Sequence, residues 1–207
     1  MSLIYTTLAL GYQPQWTVKG ALREMLSKAF DCPTRGREER RGSMSCDYSR
    51  RTRTLTVTNA ATFVSPAALL MGTSESRDNT ACIGTFGEGL PMALLVLARN
   101  HYAVEIFNGI EKWEPLIVAH PELHEQVLAI RTRQMIKDRG HFSVVIGNID
   151  EEDWTELRSM FLRLDSRFDE DQTIKARTGE RVLLQPCYKE KIYNKGGFVK
   201  SQDRLSF

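Results

Sequence analysis

Apolar residues recur at helical spacing between Thr17 and Asp31, where Val18, Leu22, Met25, Leu26 and Ala29 fall on one side and Thr17 is placed to cap the first turn. A polar Arg- and Gly-rich loop from Pro33 to Gly42 follows. Alternation then predicts two short strands, Met44 to Tyr48 and Thr54 to Asn59, with basic residues between them. Pro66 to Met71 reads as a short helix opened by proline, and Gly72 to Asn79 as a small polar loop. The glycine-rich turn Gly84-Thr-Phe-Gly-Glu-Gly89 feeds an apolar run to Arg99, which predicts a buried helix. Further strands are expected at Tyr102 to Asn108, Glu125 to Arg133 and Phe142 to Ile149, and one or two more between Arg181 and Val199. Glu151 to Leu164 reads as an amphipathic helix burying Trp154, Leu157, Phe161 and Leu164. The sum is an α+β fold, with helices on one face of a mixed sheet.

Composition agrees with a folded domain. Of 207 residues, 42% are hydrophobic and 26% charged, which speaks against disorder, collagen-like repeats and coiled coils. A chain of this length buries enough surface to need no disulfide or metal for its core. The net charge of +2 does not by itself imply a nucleic-acid or membrane partner. The longest apolar stretch, Leu90 to Ala98, is about half of what spans a bilayer. No basic residue precedes Lys19, so the start lacks the positive region of a secretory signal. Cys32, Cys46, Cys82 and Cys187 are scattered, as reduced thiols in a cytoplasm would be. His120 and His124 could share a helix face, but Pro121 separates them and no further ligand completes a metal set.

Two segments could carry chemistry. At about 100° per residue, Glu24, Lys28 and Asp31 lie within roughly 60° of one another, opposite the apolar stripe. One reading is a solvated face with a Glu–Lys pair; the other is a functional face. In the glycine turn, Gly84, Gly87 and Gly89 permit close backbone approach, and amides just before a helix suit phosphate. The alternative is a tight connection packed against its neighbour. The turn is no Walker loop, since no Gly-Lys-Ser/Thr follows, and it lacks the strand and acid of a dinucleotide fingerprint.

The order of these pieces resembles one superfamily. The segments are Trp16 to Asp31 (WTVKGALREMLSKAFD), Leu55 to Asn59 (LTVTN), Leu69 to Ser74 (LLMGTS), Ile83 to Leu95 (IGTFGEGLPMALL) and Lys191 to Val199 (KIYNKGGFV). Together they are similar to the GHKL group, the ATP-binding fold of gyrase B, heat-shock chaperones, histidine kinases and MutL, and most of all to its bacteriophage and prophage ATP-binding proteins. The resemblance implies a Bergerat-type α/β sandwich with added C-terminal strands and a helix. It also implies one domain over 1–207, or a nucleotide-pocket part at 1–115 with an extension at 116–207. The setting it implies is a host-cell cytoplasm. Relatives often dimerise, but nothing in the sequence specifies an interface.

The same resemblance assigns roles. Glu24 stands where the superfamily has the general base that activates water. Lys28 replaces an Asn that holds Mg²⁺ against the phosphates; an ammonium repels a cation, which argues against metal-assisted hydrolysis. Asn59 stands where an acid usually reads the adenine amino group, and the glycines expected after it are Ala61 and Phe63. Gly72, Thr73 and Ser74 match the lid segment, while Gly84, Thr85, Phe86, Gly87, Glu88 and Gly89 match the phosphate turn. Lysines favoured in the phage branch are here Glu75 and Pro91 or Met92. The ligand implied is ATP or ADP, bound at a drifted site that hydrolyses slowly or not at all.

Arg35, Arg37, Arg40, Arg41, Arg50, Arg51 and Arg53 cluster over one loop and hairpin. They read either as a solvated loop or as a contact for nucleic acid or an acidic protein. The second option gives the alternative function, a non-catalytic interaction protein that binds a host or viral macromolecule.

Overall fold

The computed structural model describes residues 1–30, 44–59, 63–71, 88–177, 181–194 and 196–201. Its described residues divide into two compact units, Met1–Trp154 and Thr155–Phe207. Position 115 lies inside a strand, and the division falls within a helix.

The first unit is built on seven strands: β1 (Ser2–Ala9), β2 (Met44–Ser49), β3 (Thr54–Asn59), β4 (Val104–Asn108), β5 (Glu111–Ala119), β6 (Gln126–Gln134) and β7 (Phe142–Ile146). Their spatial order is β1-β6-β5-β4-β7-β3-β2, and every neighbouring pair is antiparallel. The fold is α+β as expected, but the sheet is antiparallel rather than mixed. The reason lies in β7. It inserts between β3 and β4, so two strands that run the same way, joined by a helical crossover, never become neighbours.

Two helices lie on one face. Helix α1 (Val18–Phe30) packs on β3 and β7, helix α2 (Gly89–Arg99) on β4, β5 and β6, and the helices pack on each other. Thr17 caps α1 as its position predicts, its Oγ1 accepting from the Gly20 N–H at 3.1 Å. Ala21, Leu22, Met25, Leu26 and Ala29 are buried. Helix α2 is buried continuously from Leu90 to Leu97, the expected state of a helix apolar all round. Pro91 is accommodated because it sits in the first turn, where N–H groups have no intrahelical acceptor. Beneath the helices, alternate strand residues align in rows across the sheet, such as Leu55, Ile146 and Val104, then Val57, Val144 and Ile106.

Strand β5 contains Pro115, and β1 lacks alternation; neither strand is predicted. The proline fits because the ladder between β4 and β5 stops at Trp113, so from Glu114 onward one side of β5 needs no N–H.

The segment Pro66–Leu69 forms a single 3-10 turn capped by Ser65, whose Oγ accepts from Ala67 N–H at 3.2 Å. Helix α3 spans Glu151–Ser159, shorter than expected. Phe161 instead bridges to Gly197, and Leu162 N–H donates to the Gly196 carbonyl at 2.8 Å. These β-type bonds compete with another helical turn and win.

The second unit holds two hairpins, β8 (Thr173–Lys175) with β9 (Arg181–Leu183) and β10 (Lys191–Asn194) with β11 (Gly197–Ser201). Phe168, Tyr188, Tyr193 and Phe198 form a chain of edge-to-face rings inside it. Arg167 grips Asp165 through Nε at 2.8 Å and Nη2 at 2.7 Å, which holds that carboxyl below the usual range.

Candidate functional site

Helices α1 and α2 run antiparallel, and each end of the pair is fastened. At one end, the Arg99 guanidinium donates to the carbonyls of Tyr12 at 3.0 Å, Gln13 at 3.3 Å and Trp16 at 3.0 Å. That grip holds the loop leading into α1, in which Gln13 adopts a positive φ of 50°.

At the other end, Glu24 of α1 reaches the first turn of α2. A Cβ built on Gly89 would lie 2.6 Å from the Glu24 Oε2 atom and 3.5 Å from its carboxyl carbon. A side chain at position 89 would have to displace the flexible end of Glu24, while the backbone angles of Gly89 themselves make no demand for glycine. The first turn of α2 carries no acidic residue, and its cap, Glu88, makes no side-chain capping bond. Glu24 therefore brings negative charge from a different helix to a positive helix end. Glu24 is half-buried, so the face opposite the apolar stripe of α1 is not simply solvated. Lys28, also half-buried, lies one helical turn along from Glu24.

Asn59 ends β3, on the face toward α1. It is 1% exposed, and its Nδ2 donates to the Ala29 carbonyl at 2.9 Å. The side chain thus ties the strand to the last turn of α1. Of the expected site residues, then, Glu24 and Gly89 come together, Lys28 and Asn59 belong to the same end of α1, and Glu88 caps α2. Gly72, Thr73, Ser74, Gly84, Thr85, Phe86 and Gly87 lie outside the described residues, as do Asp31, Ala61 and Glu75. Pro91 and Met92 are core residues of α2.

Among the arginines, Arg35, Arg37, Arg40 and Arg41 are likewise outside the described residues. Arg50 pairs with Glu151, and Arg53 lies 2.5 Å from Asp150, so both tie the β2–β3 turn to the start of α3. Tyr48 supports the same junction, donating to the Ile149 carbonyl at 2.9 Å and stacking on Trp154.

Sequence reasoning missed a charged cluster on the open face of the sheet. Lys112 is only 5% exposed, yet its Nζ donates to Glu105 and, at 2.6 Å, to Glu114. Arg131 and Arg133 approach the same Glu114 carboxylate at 3.8 and 3.9 Å. The Lys112 hydrogen bond, reinforced by these charges, holds the Glu114 carboxyl below its ordinary value. The available signal was a lysine flanked by acids at strand spacing, masked by Pro115. Among the described residues, no group of three or more His, Cys, Asp or Glu could hold a metal ion, and no helix is long and apolar enough to cross a membrane. The sequence matches no known protein-family model and no curated protein.

Proposed function

We propose that the protein binds adenine nucleotide at the α1–α2 junction as a GHKL-like domain of phage type, with weak or absent hydrolysis. The observation that carries this reading is the meeting of Glu24 with Gly89 at the start of α2. Glu24, which the resemblance makes catalytic, lies against Gly89, the last glycine of the turn that the resemblance makes phosphate-binding. A phosphate set on the N–H groups of this helix end would lie beside the Glu24 carboxylate, and two anions there need a cation. Lys28 supplies one from the same helix, in place of a metal. The residues present therefore suit a phosphate held by Lys28 and the α2 amides, with Glu24 beside it and Glu88 at the cap of the same helix. They do not suit Mg²⁺, because an ammonium stands at the position the metal ligand would take.

Titration calorimetry with ATP and ADP, with and without Mg²⁺, tests the proposal. Expected is binding that Mg²⁺ leaves unchanged and that Lys28→Ala weakens about tenfold, a loss of one charge-assisted contact. No heat of binding at millimolar nucleotide would overturn nucleotide binding. Tight Mg²⁺-dependent binding with turnover lost in Glu24→Ala would overturn the drifted-site view.

The ion pairs of Arg50 and Arg53 with the start of α3 give those two arginines a structural role, so the interaction-protein reading gains no support from them.

A further inference from the structure

Arg99 is the last residue of α2, and its guanidinium donates to the backbone carbonyls of a single loop. Beside the three bonds described above, Nη2 donates to the Pro14 carbonyl at 3.5 Å. The acceptors lie between Tyr12 and Trp16, and Trp16 immediately precedes Thr17, the cap of α1. The grip therefore acts on the start of α1 itself. A cation here also suits the negative end of α2, so the contact lies along the helix axis.

The opposite fastening, Glu24 against Gly89, constrains the same coordinate. Gly89 and Arg99 are the two ends of α2, about 15 Å apart along the helix. One turn inward from the fastened ends, Ala21 follows from Glu24 and Ala93 from Gly89, and both are fully buried. Methyl groups form low ridges, and apolar burial has no direction of its own, so packing there resists sliding weakly.

We propose that Arg99 is a positioning residue for the nucleotide site. It sets the axial register of α1 against α2, and so holds Glu24 and Lys28 at the helix start where phosphate would bind. The inference rests on the reading of that junction as a nucleotide site. A slide by one residue's rise, about 1.5 Å, would carry Glu24 off Gly89 and Lys28 away from the first amides. Displacements of that size are enough to lose an aligned contact.

Arg99→Lys tests this in the full chain, because a single ammonium keeps the charge but cannot span the carbonyls that the planar fork reaches. The Gly89 amide resonance, about 15 Å from the substitution, is expected to shift, while that of Gly140, outside the helix pair, stays in place. Calorimetry should show ATP binding weakened about tenfold. Adding Lys28→Ala to Arg99→Lys should cost less than about threefold more, against about tenfold in the parent, because Lys28 is already out of place. Should Arg99→Lys lose the native circular dichroism, Arg99→Gln, which keeps a planar donor group, carries the same measurements. A folded variant with an unshifted Gly89 resonance, or with the parental affinity for ATP, would overturn the proposal and leave Arg99 a matter of stability alone. If the parent itself gives no heat with ATP, the nucleotide reading fails and Arg99's role in binding with it, while the Gly89 resonance still decides the register.

Discussion

The Glu24 carboxylate occupies the place where a side chain on Gly89 would begin, with Oε2 2.6 Å from that point. One predicted consequence is a strong coupling between the two positions. Gly89→Ala should destabilise the protein by up to about 1 kcal/mol, since Glu24 must swing away from the helix end. In a Glu24→Ala background the same change should be neutral or stabilise by up to about 1 kcal/mol, because alanine is the better helix former once the space is open. Urea unfolding of the four proteins measures the coupling, and additive effects would show that the approach has no energetic weight.

Asn59 should prove intolerant even of its closest isostere. Asn59→Asp removes the donor that serves the Ala29 carbonyl and sets a carboxylate in a site 1% exposed. A loss of about 2–3 kcal/mol is expected, and Asn59→Ala should cost about 1–3 kcal/mol. Denaturant midpoints at neutral pH decide it; an Asp variant as stable as the parent would mean that the Ala29 bond contributes nothing.

The Lys112 cluster gives an acid-side prediction. Because Lys112 lowers the Glu114 carboxyl in the folded state, this contribution is present above the ordinary carboxylate pKa and is lost as pH falls through that value toward the folded one. Lys112→Ala should cost about 1–3 kcal/mol at pH 7, since Glu105 and Glu114 lose a buried cation but keep partial exposure to water, and Glu114 keeps Arg131 and Arg133. It should also flatten the fall in stability below about pH 4. Thermal unfolding across the acid range measures both effects.

On the alkaline side, burial pushes the Cys46 thiol up to about 12, with the neighbouring Asp47 charge adding to the effect. Above about pH 9 the unfolded chain releases this proton while the folded chain keeps it, so stability should fall by up to about 1.4 kcal/mol per pH unit until the folded thiol ionises. Cys46→Ala should remove that share of the decline. Tyr102 and Tyr193, whose partial burial raises their pKa values in the same direction, would remain in both proteins and cancel in the comparison. Slow labelling of Cys46 by a thiolate-selective reagent is the direct check.

Local pattern was sufficient where burial follows one period. Thr54–Asn59 alternates cleanly and is a strand with the expected bounds, and Thr17 caps α1 as its hydroxyl and position require. It failed where tertiary contacts decide. Pro115 hides β5 because its acceptability depends on β4 ending short, a fact about the neighbouring strand. Phe161 keeps helical spacing with Leu157 yet leaves the helix for a bridge to Gly197, some distance along the chain. The candidate site shows the same limit. Glu24 and Lys28 could be placed on one face of α1 from spacing alone, but that this face meets Gly89 depends on how α2 packs.

The insertion of β7 between β3 and β4 has a consequence for how the chain reaches its native state. Each of those strands has a hairpin partner close in sequence, β2 for β3 and β5 for β4, but gains its other neighbour only when β7 arrives, so the middle of the sheet cannot be completed from the N-terminal half alone. Such long-range closure slows folding and makes it all-or-none. A nascent chain released before Ile146 would hold two helices over a sheet split down its centre.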